Sequence, residues 1–188
     1  MHTADENREN HTLKSAAEGD KSAYGILYTH YLDEIYRFVY FKIGHARTAE
    51  DITEETFIRT WEVLPRIYTR DGKIDNLRAW LYRTANNLVI DFYRKSKPIE
   101  SLDPQEPGQA VSPESAVIAH EQSETLAKAI RKLSPQHQQI ILLRLVNELS
   151  HQEAAGIMNI SEGHSRVILY RAIKALKKIL AEDGGRNA

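Results

Sequence analysis

Apolar residues recur along this chain at spacings of three and four, and strict alternation never holds for long, so the pattern predicts helices. Behind Asp20, a good N-cap, the stripe Tyr24, Leu27, Tyr28, Tyr31, Ile35, Phe38 and Val39 predicts a helix broken once near Tyr31 to Asp33. Gly44 to Arg47 reads as a turn. A second stripe starts at Thr48 and is carried by Ile52, Thr56, Phe57, Thr60, Trp61 and Leu64. It is expected to end at Pro65, because proline lacks the N–H a helix interior needs. Tyr68 to Asp75, with Asp71-Gly72 inside it, has turn chemistry. After it Leu77, Leu81, Tyr82, Ala85, Leu88, Val89 and Phe92 mark a third helix, reaching Lys97.

From Pro98 to Pro113 the pattern stops: four prolines, Pro98, Pro104, Pro107 and Pro113, stand among acidic and small residues. Such a stretch has too little apolar surface to offset the entropy of ordering it and reads as a flexible linker. Beyond it the helix starts announce themselves by their caps. Ser112-Pro113 and Ser134-Pro135 each place an N-cap before a proline at the first helical position. Ser150-His151-Gln152-Glu153 has the form of a capping box. Asn159 suits the left-handed residue that closes one helix, and Ser161 caps the next. Two short helices around a tight turn form a helix-turn-helix. The expected fold is therefore all-α, with two small helical domains at 13–97 and 116–182 joined by a linker at 98–115.

Composition changes this picture little, but charge distribution does. The net charge of -1 hides a basic end, with Arg166, Arg171, Lys174, Lys177 and Lys178 in the last helix, and an acidic centre. The chain has no cysteine, which excludes disulfides, thiolate metal sites and cysteine nucleophiles. Met1 to Thr12 is polar and of mixed charge, and the densest apolar run, Ile140 to Leu143, is stopped by Arg144. Neither a signal peptide nor a membrane span is expected, so the protein reads as cytoplasmic with no membrane insertion. His120, His137 and His151 show no metal spacing, there is no glycine-rich phosphate loop, and no nucleophile is paired with a base. No enzyme activity, cofactor or metal is expected.

In the last helix Leu169, Ala172, Ile173, Leu176 and Leu180 make one face to bury. The other face carries Arg166, Tyr170, Arg171, Lys174, Lys177 and Lys178, with Glu162, His164 and Ser165 at the N-terminal end, where a recognition helix touches base edges. Arginine can read guanine through two hydrogen bonds, and lysine can neutralise phosphate. By charge alone a basic helix is as readily a solvated face; the capped helix and asparagine turn before it tip the reading to DNA.

Leu133 to Leu180 resembles region 4 of the extracytoplasmic-function sigma factors, small specificity subunits of bacterial RNA polymerase. The resemblance lies in Leu133-Ser134-Pro135, Leu149-Ser150-His151-Gln152-Glu153-Ala154-Ala155, Ile160-Ser161-Glu162-Gly163, and Arg166 with Leu169-Tyr170-Arg171-Ala172. The run Ala49-Glu50-Asp51-Ile52-Thr53-Glu54-Glu55-Thr56-Phe57-Ile58-Arg59-Thr60-Trp61 looks like the family's region 2.2. Ala79 to Asp91 looks like regions 2.3 and 2.4, and the blocks stand in family order.

The resemblance implies that Asp51, Glu54 and Glu55 dock on the clamp of the largest subunit of core RNA polymerase, a role their shared acidic patch suits. It implies that the helix Leu77 to Lys97 and the loop before it grip the minus-ten promoter element as the strands part, with Asn87 at a base-contacting position. Arg83, Arg94 and Lys95 supply positive charge there; Tyr82 can stack on bases or fill the core, and Trp80 favours the core. The basic C-terminal helix, through Glu162, His164, Ser165, Arg166, Tyr170, Arg171 and Lys174, would read the minus-thirty-five element as duplex. Such proteins are often held by an anti-sigma factor, though no residue here singles one out. The sequence departs from the family at Ile168, a commonly basic position, and at Val167, which replaces a small polar residue; both bear on base preference. Two other readings stay open: a helix-turn-helix regulator that never meets polymerase, and a helical adaptor whose basic helix contacts protein or acidic lipid.

Overall fold

A computed structural model describes residues 2–71, 76–95 and 124–184. Among these residues every regular element is helical: α1 (His2–Ala17), α2 (Lys21–Ile43), α3 (Ala46–Asp71), α4 (Leu77–Lys95), α5 over residues 124–131, α6 (Pro135–Ile141), α7 (His151–Met158) and α8 (Glu162–Gly184). The expected linker at 98–115 and the Ser112-Pro113 cap lie outside the described residues.

Asp20 caps α2, its Oδ1 accepting from the N–H of Ser22 at 2.8 Å and of Ala23 at 3.2 Å. α2 then runs unbroken through Tyr31 to Asp33, contrary to the expected break. Leu27, Tyr31, Ile35 and Phe38 all face the core there, and no proline or glycine interrupts them. Gly44 ends α2 at φ 77, its N–H donating to the Tyr40 carbonyl. A Cβ at that position would come within 2.6 Å of the Arg131 guanidinium, whose flexible side chain can move aside, so it is the left-handed backbone that requires glycine.

α3 begins two residues before Thr48, because the His45 Nδ1 accepts from the Thr48 N–H at 3.3 Å and acts as cap. It also passes through Pro65 to Asp71. A proline inside a helix costs about 3 kcal/mol; Leu64, fully buried, and Tyr68, packed on the core, fasten the helix on either side of it. Residues 68–71 of the expected turn are thus helical, and 72–75 lie outside the described residues. Thr53, Thr56 and Thr60 are buried on α3, each hydroxyl donating to the carbonyl four residues back at 2.6–2.7 Å, so their polar atoms enter the core satisfied. Asn76 caps α4 through the Ala79 N–H at 2.9 Å.

α1 was not foreshadowed by the polar start of the chain. Leu13, Ala16 and Ala17 nevertheless give it a buried edge against α2 and α3. α1 to α4 form one bundle, α6 to α8 a second unit, and the two meet where α4 touches α7 and α2 touches the π-helical turn Leu142–Val146 that extends α6. Arg78 of α4 bridges the junction: its Nη1 donates to Glu153 of α7 at 2.7 Å. Its Nε lies 3.3 Å from Glu34 of α2, close enough for an ion pair though not aligned as a hydrogen bond.

Candidate nucleic-acid and polymerase interfaces

The helix-turn-helix is assembled by reciprocal caps. Ser150 Oγ accepts from the Glu153 N–H at 3.1 Å, and Glu153 Oε2 accepts from the Ser150 N–H at 2.7 Å, completing the capping box. Asn159 takes the left-handed conformation, φ 54 and ψ 50, and its N–H donates to the Ala155 carbonyl. Ser161 Oγ accepts from the His164 N–H at 3.2 Å and opens α8.

Ser165 departs from its expected place on the reading face. It is fully buried, with its hydroxyl 3.0 Å from His151 Nδ1, and so ties α8 to α7. Burial, with Arg144 and Arg166 nearby, lowers the His151 pKa below the ordinary imidazole value and favours the neutral ring. Ile168 is likewise buried, so this departure from the family pattern faces the core. Glu162, His164, Arg166, Tyr170, Arg171 and Lys174 are exposed, with Lys177 and Lys178 further along. Arg166 pairs with Glu162 one turn earlier, an exposed pair of small energetic worth.

On α4, Arg83, Asn87, Arg94 and Lys95 are exposed. Asp91 holds Arg94 at 3.0 Å. Tyr82 is not with them: it is wholly buried, edge-on to Phe38 with ring centres 5.0 Å apart. Burial, then the charge of Glu34, raises its hydroxyl pKa well above the phenol value. A ring packed this way cannot stack on a base. Trp80 is half-buried.

On α3, Asp51 and Glu54 are exposed and Glu55 half so, paired with Arg59 at 2.6 Å. Periodicity assigned the aromatic residues beside them to the core. Phe57 is buried in the core as expected, and with the partly buried Tyr24, Tyr28 and Trp61 it also lines an open groove of about 460 Å³, edged by Lys21, Glu54, Ile58 and Glu62. Tyr24 lies against Trp61 with centroids 4.8 Å apart, and Ile58 is 53% exposed. Ile58 falls outside the apolar stripe that the spacing gives this helix, and its exposure agrees with that. Among the described residues no group of acidic or histidine side chains could hold a metal, and no helix is long and apolar enough to cross a membrane.

Residues 27–99 match the family Sigma-70 region 2, and residues 123–176 match Sigma-70, region 4. The chain is 36% identical over 177 residues to the ECF RNA polymerase sigma factor BldN of Streptomyces coelicolor, covering 91% of this chain and 65% of that protein. It is 34% identical over 185 residues to the ECF RNA polymerase sigma factor SigW of Bacillus subtilis, covering 90% of this chain and 95% of that protein. Its fold is similar to that of CnrH in complex with the cytosolic domain of CnrY, at a TM-score of 0.67 and 22% identity, covering 92% of this chain and 96% of that one. With both regions present in order and SigW matched nearly end to end, the chain belongs to the extracytoplasmic-function RNA polymerase sigma factors.

Proposed function

We propose that this chain binds core RNA polymerase through α3 and carries it to promoters by reading a minus-thirty-five duplex with α8 and a parting minus-ten element with α4. The observation that carries the reading is the joint match to regions 2 and 4, with α8 turning its cations to solvent opposite its buried face. A regulator acting without polymerase is not favoured, because it gives no reason for the region 2 half. The first unit, 13–97 extended by the earlier residues of α1, serves polymerase and the minus-ten element; the second, 116–182, serves the minus-thirty-five element.

Asp51, Glu54 and Glu55 face the polymerase clamp, and the groove beside them adds apolar area to a contact that charge alone would leave weak. Arg83, Asn87, Arg94 and Lys95 meet the opened strand. Glu162, His164, Arg166, Tyr170, Arg171 and Lys174 meet the duplex. A partner of the anti-sigma kind would act by covering one of these faces. No chemistry is assigned to the chain itself.

In vitro transcription on genomic fragments, with core polymerase alone and with this protein added, tests the reading. New discrete transcripts are expected; identical transcript profiles in the two reactions would refute it.

A further inference from the structure

The exposed face of α8 has an apolar crest. At 3.6 residues per turn, Ser165, Ile168, Ala172 and Leu176 point to one side, and all four are buried. The direction opposite them falls among Gly163, Val167, Tyr170 and Lys174, each within about 40° of it. Arg166 and Arg171 stand to either side, roughly 65° to 75° away. Val167 is 46% exposed and Tyr170 72%. Nothing lies within 4 Å of where a Cβ on Gly163 would be, so the backbone is open there too.

Single exposed apolar side chains are ordinary on protein surfaces. Here two of them stand one turn apart at the centre of a face ringed by cations, where the partner approaches closest. Cations at the flanks suit phosphates on both walls of a groove; an apolar centre suits the floor. In the major groove the apolar feature on a base edge is the thymine 5-methyl group. Val167 and Tyr170 are separated by about 4.5 Å along the helix, near the rise of one base-pair step of about 3.4 Å.

Resting on the reading that α8 enters the major groove, we propose that Val167 and Tyr170 select thymine at adjacent or near-adjacent positions of the minus-thirty-five element, by contact with its methyl group. Selection is by the methyl group alone: in contact with the valine and the tyrosine ring it leaves water, whereas a cytosine in its place has only a hydrogen at that carbon and forgoes the contact. Val167 is therefore the departure from the family pattern that sets base preference, and Ile168, in the core, is not.

The test uses the full chain with core polymerase and a pool of randomised duplexes, from which bound sequences are enriched. Thymines in the enriched duplex are then replaced one at a time by deoxyuridine, which removes only the methyl group. Wild type is expected to lose about fourfold in affinity at one or two positions, the worth of one buried methyl. Val167→Ser should bind the deoxyuridine and thymine duplexes equally at one of those positions, and Tyr170→Ala at the other. Indifference of the wild type to every replacement would overturn the proposal, as would full methyl sensitivity retained by Val167→Ser. If no duplex is enriched, this proposal falls with the groove-docking reading, and transcript formation on genomic fragments tells whether the promoter reading falls with them.

Discussion

The first four helices run to between 16 and 26 residues and bury broad side chains such as Tyr31, Phe38 and Tyr82, whereas α7 has eight residues and buries Ala154, Ala155 and Ile157. Long helices gain stability from an apolar stripe repeated over many turns, so α3 can carry Pro65 inside it and α2 needs no help at Tyr31 to Asp33. A helix of two turns has almost as many unsatisfied backbone groups as satisfied ones, so caps decide whether it forms. That is where the C-terminal unit spends its polar residues: Ser134, Ser150, Glu153, Asn159 and Ser161. The long helices of the first bundle are thus held by what they bury, whereas the short α7 depends on how its ends are finished.

The comparison is sharpest at Tyr82. Tyr82→Ala is expected to lower stability by about 3 to 5 kcal/mol, the range for emptying a large aromatic site. Tyr82→Phe should cost little, since the buried hydroxyl has no hydrogen-bond partner among the described residues. Urea unfolding of the two variants distinguishes a core ring from a base-stacking one; equal, small losses in both would remove Tyr82 from the core.

Lys42 gives the next largest effect. It is buried beside Asn86, whose Oδ1 accepts from its Nζ at 2.7 Å, and burial lowers its pKa from 10.5 to about 8. The folded state therefore holds this proton less tightly than the unfolded chain. Stability from this group is full above pH 10.5 and lost as pH falls through 8, by about 3 kcal/mol over that window. Stability of the wild type minus that of Lys42→Met, followed from pH 7 to 10, should rise with pH; a flat difference would show an ordinary, solvated amine.

Arg78→Ala tests whether the halves depend on each other. Glu34 would keep a mostly buried carboxylate without its cation, and Glu153 would lose the tie to α4. Burial already raises the Glu34 pKa, with Arg78 opposing it. A loss of about 1 to 3 kcal/mol is expected, with an increase in the radius of gyration by X-ray scattering. An unchanged radius would mean that the remaining contacts hold the units together.

The smallest pair has opposite signs within one helix. Ser150→Ala should lower stability by about 1 kcal/mol by removing a cap, and Gly156→Ala should raise it by up to about 1 kcal/mol, because the site is exposed with open space for a methyl group. Thermal unfolding of both variants settles whether α7 is limited by its ends and backbone; no change in either would refute that.

The sequence by itself determined the all-helical class, the caps at Asp20, Ser134, Ser150 and Ser161, and the left-handed Asn159, because each is decided by residues within four positions of one another. It also placed the cations of α8 opposite that helix's buried face, since one period fixes both. Tertiary structure alone decided which ambiguous side chains face inward. Ser165 and Tyr82 are polar enough for a surface and small or flat enough for a core, and His151 and Phe38, brought from elsewhere in the chain, settle them inward. The junction at Arg78 joins residues 75 positions apart, and no local pattern encodes a contact made by chain segments that meet only after both have folded.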